Sequence, residues 1–544
     1  MDPSVLPQSK IDFIISLYSK GNFQHALDDV SDLINSFPDN PILHNINGAC
    51  HQGLGDLDSA VMSFQRAIAI NTDYSKAHYN LAGTFFELGK LEDSVKSYEL
   101  SLSIDPNYAE AHNNLGNVLR QFGDLDYALR SYKKAIKLDP NYVEALFSAS
   151  IVLQNLGQFE DMVEYLEQVL ILKPNFSEAH NYLGSALKEL GQYEESISAY
   201  QKALEIEPNY LEAHNNLGNA FKNNGQLEKA IKSYQKALLI SPDYPTLHNN
   251  LGNAFKEVGE IERAIKYFKK AIEINPDFPD SHNNLGDALR ELNQFDDALE
   301  SYEKAINLDP DYFEAFNNLG TAFKDLDRLN DAVSSYEQAL KINPEFSDAY
   351  NNLGNVLKKL GKLDEALECY EKGLTMNPDD VDIHNNLGNL LSKLERVDEA
   401  VKSYQAALKI DSQHAETYKN LAIIFLKMDR DEESFKYVEK ALNLNPEYAE
   451  GHSMKGGILV ELKQLDEALE SFEIAQKINP KLFYILSNIL QTKMSLCDWS
   501  NLPELLDKLE SKINSNEKNT IIPFDLLSLI DDPRLQRMAS ENYI

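Results

Sequence analysis

Proline returns in this chain on a ruler of 34 residues, at Pro38, Pro106, Pro140, Pro174, Pro208, Pro242, Pro276, Pro310, Pro344, Pro378, Pro446 and Pro480. Thr72 and Ser412 occupy the two missing marks without breaking the frame. A fixed period of this length is the signature of stacked helix–turn–helix units, each too small to bury its apolar face alone. Fourteen units span residues 7–482 with no insertion or deletion. The chain is therefore expected to be an all-α solenoid with one continuous ribbon of core, in place of the three or four globular domains its 544 residues would otherwise suggest.

Residues 109–142 show how one unit works. His112, Leu115, Gly116 and Leu119 fall on one helical face, and so do Ala128, Tyr132, Ala135 and Ile136 further on. Gly123–Asp124 divides the two helices, and Asp139–Pro140 is expected to end the second, because proline cannot continue a helix. Glycine recurs inside the first helix at 116, 184, 218, 252, 286, 320, 354 and 388, and alanine inside the second at 128, 230, 264, 298, 332, 366 and 400. A mid-helix glycine costs about 1 kcal/mol against alanine. Its recurrence predicts a close approach between helices, and single helical glycines are not a phosphate loop.

The chain carries 86 acidic and 51 basic residues, a net charge of −35. That balance argues against nucleic acid and against anionic membrane, both of which need a lysine and arginine surplus, and suits a long exposed surface kept soluble by charge. Cys50, Cys369 and Cys497 are too few and too scattered for a disulfide framework or a metal site, and fit a reducing cytoplasm. The N-terminus has no basic start followed by a long apolar run, and no segment reaches the roughly 20 apolar residues of a membrane span.

Nine histidines share one place in the repeat: His44, His78, His112, His180, His214, His248, His282, His384 and His452. Successive members stand one whole repeat apart, about two helix diameters of roughly 10 Å, so no two can share an ion. They are predicted to be half-buried packing residues. Asparagine is the less ordinary repetition. Asn80, Asn114, Asn216, Asn250, Asn284, Asn318, Asn352, Asn386 and Asn420 all precede the leucine of the first helix, about 160–200° around from the core-facing histidine and glycine. Asparagine is a mediocre helix former, so its persistence here calls for a reason. A carboxamide both donates and accepts, and a row of them suits the backbone amides of an extended polypeptide. Asn117, Asn219, Asn253, Asn355 and Asn389 are expected beside it. Ile46, Ser148, Tyr182 and Met454 interrupt the row, which leaves Asn216 to Asn420 as the predicted main tract. Bases near the end of the first helix, such as Lys222, Lys256 and Arg290, are read as complementing the helix dipole. No catalytic motif is present.

The repeat motif is similar to the tetratricopeptide repeat, over nearly nine-tenths of the chain. The resemblance implies a right-handed superhelix of antiparallel helix pairs whose first helices line the concave side. After Pro480 the pattern degrades. Residues 1–6 are expected to be a tail, 483–514 a divergent capping repeat, and 515–544 a linker leading toward a further domain. Cys497, Asp498, Trp499, Pro523, Phe524, Leu526, Leu527, Asp532, Pro533, Leu535 and Gln536, in that order behind the asparagine row, resemble the protein O-GlcNAc transferase and Spindly-like glycosyltransferases. That resemblance implies that the groove asparagines hold substrate backbone. It also implies that the nucleotide-sugar domain, with UDP-GlcNAc or another donor, would lie beyond Ile544. No catalytic residue or cofactor site is then expected within these residues, and Leu526, Leu527 and Leu529 are expected to need an apolar partner. The leading expectation is thus a substrate-recognition arm for unfolded polypeptide; the alternative is a stand-alone scaffold for protein complexes.

Overall fold

The computed structural model describes residues 6, 8–515, 521, 526–527 and 529–542. Among them are 31 helices and no strand. They divide into two compact units, Met1–Pro276 and Asp277–Ile544.

In each unit the first helix of a repeat packs along its own second helix, and that second helix packs on the first helix of the next repeat. The repeat at 109–142 is representative. Its helices run Ala109–Phe122 and Leu125–Leu138. Gly123 closes the first with φ +91°, the left-handed region where a Cβ is penalised. Asp124 caps the second by accepting from the Tyr127 N–H at 3.3 Å.

The second helix stops without needing proline. The helix Leu57–Ile70 ends in the same way before Asn71–Thr72. An Asx turn stands at both of these breaks: Asp139 Oδ1 accepts from the Asn141 N–H at 3.0 Å, and Asn71 Oδ1 from the Asp73 N–H at 3.1 Å. The helices Phe159–Leu172 and Tyr193–Ile206 end before Lys173–Pro174 and Glu207–Pro208 with no Asx residue, so proline and the Asx turn each suffice for the break.

Close approach is confirmed at the helical glycines, and its target is an aromatic ring. A Cβ on Gly116 would meet the Tyr132 ring at 2.7 Å, and one on Gly252 the Phe268 ring at 2.6 Å. The ring fills the space between paired helices, and Tyr132, Phe268 and the alanines beside them are fully buried.

The C-terminal stretch builds its own small core. Helices Ile485–Ser495, Leu502–Asn514 and Pro533–Asn542 bring Leu486, Leu490, Leu509, Ile513 and Leu535 around Leu526. Leu526 is fully buried there and Leu529 packs against the cluster, so the apolar partner expected from outside is supplied by this chain, whereas Leu527 is 58% exposed. Asp498, in the turn between the first two of these helices, accepts from Lys493 Nζ at 2.5 Å, which holds its carboxyl well below the usual range. Pro523 and Phe524 lie outside the described residues.

Candidate binding face

The histidines do more than pack. Nε2 of His112 lies 3.0 Å from the Pro106 carbonyl oxygen, six residues earlier, and His214 is placed the same way toward Pro208 at 2.9 Å. His44, His78, His180, His248, His384 and His452 repeat the contact, with Thr72 standing for proline in one case. A ring N–H thus clasps the end of one repeat to the start of the next. Burial lowers the basicity of His112 and His214, in keeping with neutral rings that donate through Nε2. Among the described residues no group of histidine, cysteine and acidic side chains is placed to hold a metal ion.

The asparagine row forms a set of rungs. Asn80 Nδ2 donates to Asn45 Oδ1 at 3.0 Å, across 35 residues, from one first helix to the one before it. Asn216 donates to Asn181 at 3.1 Å and Asn250 to Asn215 at 3.0 Å in the first unit. In the second unit Asn318, Asn352, Asn386 and Asn420 donate to Asn283, Asn317, Asn351 and Asn385, all within 2.9–3.1 Å. Asn114 uses the Tyr79 hydroxyl instead, at 2.8 Å, because Tyr79 replaces asparagine at that place. Asn284 lies at the same repeat position and is half-buried.

These side chains are therefore not free groove residues, as their angular position suggested. They are half-buried along the seam between successive first helices, and Asn420 is buried. A carboxamide offers two N–H groups and one oxygen. The rung takes one N–H and fixes the orientation of the rest. The acceptors lie deeper: Asn181, Asn283, Asn317 and Asn385 are buried. Where Ser148 interrupts the row, the acceptor it should have met, Asn113 Oδ1, is buried without a hydrogen-bond partner.

The second set of asparagines also faces inward. Asn117, Asn219, Asn355 and Asn389 accept from the hydroxyls of Tyr132, Tyr234, Tyr370 and Tyr404 at 2.7–2.8 Å. Burial raises the pKa of those tyrosines, that of Tyr132 to about 12, so each stays a neutral donor. A third layer lies at the end of the first helices. Lys222 pairs with Glu257 at 3.5 Å and Arg290 with Asp325 at 2.9 Å, again 35 residues apart. The bases there join neighbouring repeats, which a dipole argument alone does not require. Cys50 and Cys369 are buried, and burial pushes both thiols up to about 11; Cys497 is exposed.

Models of the tetratricopeptide repeat match residues 83–121, 109–142, 131–164 and, in overlapping segments, 184–289. The chain carries tetratricopeptide repeats. A model described as the C-terminal domain of cilia and flagella-associated protein 70 matches residues 278–481. Among solved structures the chain is similar to MamA at 34% identity, over 30% of this chain and 95% of that one, with a TM-score of 0.29. It is similar to yeast Tom70 at 19% identity over 81% and 99%, TM-score 0.41, and to the APC/C hetero-tetramer Cut9–Hcn1 at 15% identity over 88% and 95%, TM-score 0.41. No curated protein matches the chain. Tetratricopeptide repeats form protein-binding scaffolds, and no helix among the described residues is long and apolar enough to cross a membrane.

Proposed function

We propose that this chain is a scaffold that holds extended polypeptide on its first-helix face, through the backbone-reading amides of the asparagine rungs. The observation that carries the reading is the row Asn318, Asn352, Asn386 and Asn420, each amide oriented by an identical hydrogen bond to the repeat before it. Groups fixed before binding lose little freedom on binding, which favours capture of a flexible partner. Asn80, Asn216 and Asn250 carry the same rung in the first unit, Asn114 is held by the Tyr79 hydroxyl, and Asn284 shares their repeat position. Backbone capture by carboxamides is permissive toward sequence, as a scaffold for several partners requires. Two buried, unpaired thiols fit a reducing compartment such as the cytoplasm.

The test must separate binding from bracing. Replacing the donors Asn318, Asn352 and Asn386 by alanine breaks three rungs from the groove side. Replacing the acceptors Asn317, Asn351 and Asn385 breaks the same rungs from behind. Both sets should lose stability, by about 1 kcal/mol for each bond and more where a buried partner is stranded. Only the donor set should abolish binding of an unstructured peptide, measured by fluorescence anisotropy at a temperature where both variants are folded. Equal affinities in the two sets would leave the rungs as braces and remove the binding role.

A finer reading makes the scaffold the substrate arm of an O-GlcNAc-transferase-like enzyme. Its support is the order of Cys497–Asp498–Trp499 and Asp532–Pro533 with Leu535–Gln536 behind the last repeat. The burial of Leu526 inside the terminal cluster removes one argument for it. The scaffold is the preferred reading because the matching models are repeat models. Immunoprecipitation of the native protein from its own cells, with a glycosyltransferase assay on the eluate, tests the finer one. Sugar transfer to a bound peptide supports the arm, and binding without transfer supports the scaffold.

A further inference from the structure

Tyr98 departs from a rule kept elsewhere. Where the second helix carries tyrosine at this place, the first helix offers a polar side chain 15 residues earlier, as Asn117 does for Tyr132 at 2.8 Å and Asp287 for Tyr302 at 2.7 Å. Opposite Tyr98 stands Gly83, where a Cβ would come no closer than 3.6 Å to the tyrosine hydroxyl. The missing side chain leaves a cavity of about 290 Å³ on the first-helix face, lined by Tyr79, Asn80, Phe86, Glu87, Tyr98 and Asn114 among others.

Its lining has a definite chemistry. In later repeats the acid at the place of Glu87 is met by a cation from the preceding first helix, as Glu257 is by Lys222 and Asp325 by Arg290. The corresponding neighbour of Glu87 is Gln52, whose amide donates to the carboxylate at 2.7 Å. A neutral amide satisfies one lone pair and leaves the charge. The base found at 222 and 290 is replaced here by Phe86, which adds a ring to those of Tyr79 and Tyr98, themselves edge to face at 5.7 Å. Aromatic faces, a carboxylate without a cationic partner and the Oδ1 of oriented amides together suit a cation that carries N–H donors. The chain's net charge of −35 draws basic segments toward it.

We propose that this cavity receives an arginine or lysine side chain of the polypeptide held on the asparagine face, giving the scaffold one sequence-reading position. The inference rests on the backbone-capture reading above. The probe is a pair of labelled, unstructured glycine- and serine-rich peptides that differ only in a central arginine or glutamine. Anisotropy titration of the full chain should show the arginine peptide bound about tenfold more tightly, the size of one well-placed cation contact. Gly83→Asn fills the cavity with the side chain other repeats carry and sets an acceptor beside the Tyr98 hydroxyl as Asn117 does for Tyr132, so it should fold normally. Glu87→Gln removes the charge alone. Each should bring the arginine peptide to the affinity of the glutamine peptide and leave the latter unchanged, with the thermal melt of both variants near that of the parent. Equal affinities for the unmodified chain overturn the pocket while backbone capture stands. A preference that survives both substitutions overturns the pocket as well. Failure of both peptides to bind overturns backbone capture, and this inference with it.

Discussion

The turn inside each repeat is built from the same left-handed residue in both units, yet the two units fill it differently. In the first unit every such residue is glycine: 21, 55, 89, 123, 157, 191, 225 and 259. In the second only Gly361 remains, and Asn293, Asp327, Glu395, Asp429, Lys463 and Cys497 take the others at φ between 55° and 65°. The helical glycines drift less, since Gly286, Gly320, Gly354, Gly388 and Gly456 persist through the second unit, each under a tyrosine or phenylalanine ring, and only Ala422 departs, in the repeat where Val438 stands in place of the ring. A Cβ in a left-handed turn costs about 1–2 kcal/mol and leaves the fold in place. A Cβ driven into a buried ring displaces the ring or separates the helices. The contrast teaches that this solenoid gives up glycine readily where the cost is torsional strain at an exposed corner and seldom where the cost is space under a ring at a helix seam, Ala82 beside Tyr98 being one exception.

The comparison breaks if a seam glycine proves cheap to replace. Gly354→Ala, whose Cβ would lie 2.6 Å from the Tyr370 ring, should destabilise its repeat by about 2 kcal/mol, the larger end of small-to-large core changes. Hydrogen exchange of the amides in that repeat is the measurement, because a long repeat array does not unfold as one unit. A protection loss no greater than that of a corner substitution overturns the ranking. The corner counterpart in the same repeat, Gly361→Ala, should cost about 1 kcal/mol through φ alone, since nothing lies within 4 Å of its Cβ. The reverse change sharpens the point. Lys463→Gly should slow exchange around the helix Leu465–Ile478 by an amount near 1 kcal/mol, and an unchanged rate would mean that the second unit has relieved its strain in another way. The smallest effect concerns the interrupted asparagine row of the first unit. Ser148→Asn should supply the donor missing from the buried Asn113 Oδ1 and add roughly 0.5–1 kcal/mol; no gain would indicate that the oxygen is already satisfied.

Much of the molecule could be read directly from residue order. The period located both helices of each repeat, and helical spacing marked Ala128, Tyr132 and Ala135 as core; all three are fully buried. Other features were visible but unread. The histidine always follows proline or its substitute by six residues, a constant offset that signals a contact with that segment, and it turned out to be a hydrogen bond to the carbonyl. Likewise the Asp or Asn that precedes many of the closing prolines, Asp139 among them, forms an Asx turn where the second helix ends. The candidate site was only half legible. Angular position removed Asn216 and Asn250 from the core correctly, but it counts one helix at a time and has no knowledge of what the next helix brings alongside.

The sequence by itself determined the repeat, its length, the faces that turn inward and the places where glycine is required for space. Those depend on dihedral preference and 3.6-residue periodicity, which act within a few turns of chain. Tertiary structure alone decided the register between neighbouring first helices. Their side chains meet at a separation of 35 residues where the sequence repeats at 34, so the rungs join unlike positions, the second asparagine of one repeat with the first asparagine of the repeat before. That one-residue offset is set by how ridges of one helix settle into grooves of the next, a packing outcome that no single repeat contains.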